Sequence, residues 1–354
     1  MIRRILLKTL ILFSAFNLLF VLTTPLSWLG RISLYNQVFP GRPRLPWGEH
    51  PDQAYNLTLD NLDAMFAAHE ISAGVKPAEE FRVVLIGDSS TWGFLLHPDE
   101  TLAAQLNALH LAANEGRHVR VYNLGYPDFS LTKDALILNR AMRYQPDLVV
   151  WLMTLRSFPV TTQLHPLVQA NLAEATQAGL AQSGHLSESL VARWLGAQRR
   201  ALADLMRLQC YGVPWAATGI DQVYPADYER WQNDLEADDS FQTLKPQTFK
   251  SADLAFDIIT RARQIVGNTP LLIVNEPMAI ATGKNSALRY NFFYPRWAYD
   301  QYRNLMTAQA QQQGWRYLDL WNAIPSAEFT NSAVHLTPRG SQLLAERLAV
   351  VIIE

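Results

Sequence analysis

The chain has one cysteine, Cys210, in 354 residues. An internal disulfide is excluded, so stability outside the cytoplasm would have to come from packing. Cys210 falls in the apolar helical run Leu205 to Tyr211 and reads as core filler rather than a reactive thiol. Charge of one sign is also scarce. Thirty Lys and Arg stand against 32 Asp and Glu, a formal net charge of −2, and no basic patch argues for a nucleic-acid partner. No set of His, Cys and carboxylates has metal-ligand spacing, so neither metal nor cofactor is implied. With 49% apolar residues the chain reads as globular, long enough for one large core and additions.

One long apolar run is present, at the N-terminus. Arg3, Arg4 and Lys8 lead a run from Thr9 to Leu29, and about 20 such residues can span a bilayer. No clear Ala-x-Ala site follows, so residues 1–30 read as an uncleaved anchor with its N-terminus in the cytoplasm. The alternative is a secreted chain after signal cleavage. Arg31, Arg42 and Arg44 beyond the run blur the charge rule. Residues 31–80 read as a connector. Pro40, Pro43, Pro46 and Pro51 with Gly41 and Gly48 argue against regular structure, and Asn61 to His69 reads as a short helix.

The rest of the chain is organised around residues 81–94. Phe81 and Val83 to Ile86 read as a buried strand that stops at Gly87, followed by Asp88-Ser89-Ser90. In an α/β sheet the carboxyl end of a strand is where reactive groups sit, and Gly87 and Gly93 would let the backbone approach a substrate. Ser89 is the candidate nucleophile, with Asp88 tying down its turn. The candidate base is His335, on a loop ahead of a helix capped by Thr337 and Pro338. A serine hydroxyl needs an adjacent base, and a histidine titrates where one is useful.

Both stretches resemble the SGNH (GDSL-type) hydrolases, from about residue 81 to the C-terminus. The resemblance implies a three-layer α/β/α fold with a parallel, flavodoxin-like sheet. It implies esterase activity through an acyl-serine, with Ser89 and His335 as catalytic residues and the amides of Ser89 and Gly125 as oxyanion donors. Two family positions depart. Where the third block has an asparagine, this chain has Arg156 within Thr154-Leu155-Arg156-Ser157. Arg156 could donate to an oxyanion or bind an anionic or polyhydroxylated substrate. Where the fifth block has an aspartate, this chain has Ser332, next to Asn331. Asn331 or a main-chain carbonyl could orient the imidazole, and Asp319 or Glu328 could supply an acid from nearby loops. Missing that acid should lower the rate.

In chain order, a helix is expected over Thr101–Leu111, a strand over Val119–Leu124 and a helix over Leu131–Tyr144. Strands come next over Leu148–Met153 and Leu271–Val274, the latter ending in Asn275-Glu276, two further candidates at the substrate side. A helix over Arg296–Gln313, a strand over Trp315–Leu320 and a helix over Ser341–Ile353 complete the domain. Alternation of this kind implies a parallel sheet covered on both faces. An insertion at about 158–268 reads as a helical cap over the site, with Leu190, Trp194, Leu195, Leu202, Leu205 and Met206 as its apolar face. The long loop Glu276–Pro295 reads as polar groups beside aromatics. The expected partners are an acylated small molecule or glycan and a membrane. The function read from this is extracytoplasmic removal of O-acyl groups from cell-envelope glycans. O-acyl transfer, or glycan binding without turnover, are the rivals.

Overall fold

The computed structural model describes residues 2–23, 25–29, 41–48, 60–113, 116–180, 195–219, 227–242 and 244–353. Five parallel strands form one sheet: β1 (Glu80–Ile86), β2 (His118–Asn123), β3 (Leu148–Met153), β4 (Leu271–Asn275) and β5 (Arg316–Asp319), in the order β2-β1-β3-β4-β5. The helices used below are α1 (Ile2–Thr23), α2 (Ser89–Trp92), α3 (Leu102–Ala108), α4 (Leu131–Ala141), α5 (Leu195–Thr218), α6 (Phe256–Val266), α7 (Arg296–Gln313) and α8 (Pro338–Ile352).

Side chains alternate across a strand, so each apolar run feeds two cores. Val84, Ile86, Val149, Trp151, Met153 and Ile273 enter one, covered by α4, α6 and α7. Val83, Leu85, Val150, Leu152, Leu272 and Val274 enter the other, covered by α3 and α8. The result is the three-layer, flavodoxin-like arrangement. Val84, Ile86 and Trp151 are fully buried, and each such side chain contributes about 1.5–3 kcal/mol. Short polar side chains start the helices where the sequence places them: Thr101 caps α3, Ser130 caps α4 and Thr337 caps α8 with Pro338 behind it.

The order reverses between β1 and β3, where the chain winds outward in both directions. In sheets of this order the crevice at that reversal is the natural ligand site. The register Leu85↔Asn123 and Ile86↔Trp151 brings the ends of β2, β1 and β3 level beside it.

Two expectations are corrected. Cys210 is exposed: α5 buries Leu205, Leu208 and Gly212, and Cys210 points away from that stripe. The same geometry leaves Met206 59% exposed, so of the expected apolar face Leu205 is buried and Leu195 and Leu202 are half-buried, with Leu190 and Trp194 outside the described residues. The connector does more than link. Arg44 is buried, donates to the carbonyls of Gly93 and Leu96 at 3.0 and 3.1 Å, and lies 4.2 Å over the Trp92 ring.

Candidate active site

β1 ends at Ile86 and the chain turns through Gly87 and Asp88 into α2, which begins at Ser89. Asp88 caps this short helix, its Oδ1 accepting the Ser90 amide at 2.8 Å. That bears on the nucleophile directly, because the first amide of a helix has no intrahelical acceptor and the cap here goes to the next one. Gly93 ends α2 in a left-handed conformation, φ 88°, which an L-residue adopts only at a cost. At Gly87 a Cβ would stand 2.2 Å from Thr91 Oγ1, so this glycine serves packing within the turn.

Ser89 Oγ lies 2.7 Å from His335 Nε2, and His335 Nδ1 lies 2.8 Å from Asn331 Oδ1. An amide oxygen only accepts, so Nδ1 carries the hydrogen and Nε2 presents its lone pair to the serine hydroxyl. The loop is braced on both sides of the ring. Thr330 N donates to His335 O at 2.8 Å and Thr337 N to Glu328 O at 3.0 Å. The Phe94 ring packs on the imidazole at 4.8 Å. The residue is half-buried. Burial pushes its pKa down from 6.5, to about 3, and the group at Nδ1 is a neutral amide that cannot offset this.

The partner of the ring is thus Asn331 and not Ser332, which is buried nearby. Neither acid expected from neighbouring loops fills the place. Asp319 is bound by Arg303 at 2.7 Å and by Asn275, and Glu328 accepts the Thr337 hydroxyl.

Gly125 does not offer a free oxyanion donor. Its amide donates to Asn123 Oδ1 at 3.0 Å, while Asn123 Nδ2 donates to Trp92 O at 3.2 Å. The glycine is required by contact instead: a Cβ there would stand 2.5 Å from Trp92 N and 2.8 Å from Thr91 C. Asn275 is also unavailable to a substrate. It is fully buried, its Oδ1 taken by the hydroxyls of Tyr299 and Tyr302 at 3.3 and 3.2 Å and its Nδ2 by Asp319 at 2.8 Å. Glu276 is buried beneath α2 and accepts the Ser90 hydroxyl, so it supports the turn from below. Asp88, as the helix cap, belongs with it rather than with substrate-binding groups.

Arg156 sits on the turn after β3, across the reversal point from Ser89. Its guanidinium is half-buried between two rings, 4.3 Å from Phe293 and 4.9 Å from Phe129. Stacking of this kind fixes the plane of the group while leaving its N–H edge to bind.

Lys133 was not singled out by the sequence. Fully buried on α4, it donates to Gly87 O at 3.3 Å, to Tyr126 O and to Pro127 O at 3.5 Å, and pairs with Asp134 at 2.9 Å. It therefore ties the loop after β1 to the loop after β2. The only signal is a charged pair inside the otherwise apolar run Leu131 to Leu138.

A cavity of about 820 Å³ opens beside the ring, walled by Phe94, Leu95, Phe292, Asn331 and the segment Asp227 to Asp238. That segment, neither helix nor strand, is tied to the loop that carries His335 by Trp231 N to Thr330 O at 2.9 Å and to the loop after β4 by Leu235 N to Lys284 O at 3.0 Å. The loop after β4 turns two of its four aromatics inward. Tyr290 and Tyr294 are buried, and the Arg289 guanidinium is spent on the carbonyls of Asp238, Asn291 and Phe292.

Comparison with protein-family models finds no match, and comparison with curated proteins finds none either. Among solved structures, the carbohydrate acetylesterase Est24 of Sinorhizobium meliloti is 13% identical, over 77% of this chain and 97% of that one, with a TM-score of 0.37. The native aryl esterase of M. smegmatis is 15% identical over the same shares, with a TM-score of 0.37. A G-D-S-L family putative lipolytic protein of Desulfitobacterium hafniense is 11% identical over 77% of this chain and 99% of that one, with a TM-score of 0.33. Likenesses this distant do not decide what the chain does.

Proposed function

We propose that the chain is a serine esterase working through an acyl-Ser89 intermediate, anchored in a membrane by α1 with its catalytic domain outside the cytoplasm. Its proposed substrates are short O-acyl groups on cell-envelope glycans. One observation carries the reaction class: the chain of contacts from Ser89 Oγ to His335 Nε2 at 2.7 Å and from His335 Nδ1 to Asn331 Oδ1 at 2.8 Å. A nucleophile bonded to a base that is itself oriented by a third group is the arrangement acyl transfer needs.

His335 takes the Ser89 proton as Oγ attacks the ester carbonyl, then gives it to the leaving alkoxide. Water, activated by the same nitrogen, releases the acid from Ser89. Asn331 holds the tautomer through both steps but adds no negative charge, so the imidazolium is stabilised less than an aspartate would stabilise it. The Ser89 amide and the Arg156 edge are the proposed donors to the oxyanion, a role worth about 3–4 kcal/mol per donor. The glycan reading is supported by the cavity, where Asp227, Glu229, Arg230, Gln232 and Glu236 stand beside Trp231 and Phe292. Because the 227–238 segment walls this cavity, transfer to a sugar hydroxyl in place of water is the second reading.

The test is turnover of p-nitrophenyl acetate by the full chain in detergent. Ser89→Ala and His335→Ala should each lose about 1,000-fold or more in kcat. Turnover by Ser89→Ala equal to that of the unaltered chain would end the esterase reading. Products formed with and without added sugar acceptors separate hydrolysis from transfer.

A further inference from the structure

Ser90, next to the nucleophile, is gripped by two carboxyl groups from different strand ends. Asp88 Oδ1 accepts its amide at 2.8 Å, and Glu276, just past β4, accepts its hydroxyl. Both acids are only 1% exposed, and both close on the same residue, one at its amide and one at its hydroxyl. A second oxygen on each, Asp88 Oδ2 and Glu276 Oε1, is buried and meets no donor from the rest of the protein. Two ionised carboxylates buried on one residue would repel each other and leave both oxygens without a donor, whereas a proton on one acid supplies a donor and removes one charge. Nor does the surrounding charge favour two anions. The buried Lys133 is already paired with Asp134 at 2.9 Å, and the third nearby group, Tyr294, has a phenol that burial keeps neutral.

We infer that Asp88 and Glu276 share one proton, and that this acid pair is a positioning device that clamps Ser90 and so aims Ser89 Oγ at His335 Nε2. Burial raises the pKa of both acids, the Asp88 charge raises that of Glu276 further and the Asp134 charge that of Asp88, in agreement with a proton held on the pair. A folded-state pKa raised above the unfolded value gives stability that is full in acid and lost as pH rises through the folded value. At alkaline pH the pair becomes two buried like charges, the clamp opens, and the Ser89 turn loses its brace. The kinetic consequence rests on the esterase reading; the shared proton does not.

The experiment uses the full-length chain and the variants Glu276→Ala and Glu276→Gln. Infrared spectroscopy at neutral pH should find a protonated-carboxyl C=O band that Glu276→Gln removes and that alkali removes from the unaltered chain. In turnover of p-nitrophenyl acetate, Glu276→Ala should lose about 100-fold in kcat with little change in KM, the size of effect a misplaced reacting group gives. Glu276→Gln should recover most of that loss, since its amide can donate to Asp88 and accept from Ser90 without a shared proton. Its alkaline limb should lie at higher pH. The inference is overturned if no carboxyl band depends on Glu276. It is equally overturned if Glu276→Gln is as impaired as Glu276→Ala with an unmoved pH profile. Should Ser89→Ala keep full turnover, the esterase reading fails while the infrared result still decides the acid pair.

Discussion

At the scale of single residues, the departure that matters most is an amide where an acid would serve better. Asn331 fixes the tautomer of His335 at 2.8 Å but cannot stabilise its positive form, and burial pushes the imidazole pKa down, to about 3. Asn331→Asp places a carboxylate in the same contact and should raise that pKa, so the acid limb of kcat/KM moves to higher pH. Asn331→Ala removes the orienting group and should lower kcat about 100-fold or more. An unchanged profile in both variants would take Asn331 out of the mechanism. The same burial has a stability signature. His335 is neutral in the folded chain and protonates freely in the unfolded one below about pH 6.5. Its contribution is therefore present above pH 6.5 and lost as pH falls toward about 3. A thermal-unfolding series over that window should show His335→Gln losing less stability on acidification than the unaltered chain.

At the scale of elements, the short helix α2 is held from three sides, by the Asp88 cap, by Arg44 against Trp92 and by the close approach of Gly125. Gly125→Ala drives a methyl into the backbone at Trp92 N, 2.5 Å away, and backbone cannot rotate aside. Overpacking of this kind costs about 1–3 kcal/mol, so denaturant unfolding should report that loss together with a fall in kcat. Were the glycine needed only for its turn, stability would fall with kcat unchanged. These elements also show what the sequence made legible. β3 and α7 fall where their residues predict them, because an apolar run bounded by Asp147 and Thr154, and a helical repeat ended by Gly314, are local signals. Ser89, His335 and Asn331 were legible because each follows a strand end or precedes a capped helix. The role of Asn275 was not, because only the packing of α7 against β4 decides whether its side chain meets substrate or two tyrosines. The segment Asp227 to Asp238 has no period to read, and it forms a loop with neither helix nor strand between helices α5 and α6. Cys210 followed its apolar neighbours in sequence but not in space. A maleimide should therefore modify it in the native chain as fast as in the unfolded one, whereas a buried thiol would need unfolding first.

At the scale of the whole molecule, α1 stands apart from the two cores. Its most apolar 18-residue stretch has a mean hydropathy of 2.3, and at 1.5 Å per residue its 22 residues extend about 33 Å, enough to cross a hydrocarbon layer of about 30 Å. Its large apolar side chains from Ile2 to Leu22 stay more than half exposed, apart from Phe20 and Val21 near its end, and α5 packs against it. A water-soluble protein does not hold so continuous an apolar surface uncovered, which is why the proposed location is a membrane. If a bilayer covers α1, a charge at its centre must be costly: about 2.5–3.5 kcal/mol for an arginine on insertion scales. Leu12 is 70% exposed near the middle of the helix and touches nothing whose loss would unfold the domain. The full chain should float with liposomes and resist alkaline carbonate, and Leu12→Arg should move much of it to the soluble fraction with esterase turnover intact. A chain that stays soluble without any change at Leu12 would remove the anchor while leaving the Ser89 chemistry untouched, because the site is built from the sheet and its loops and draws no residue from α1.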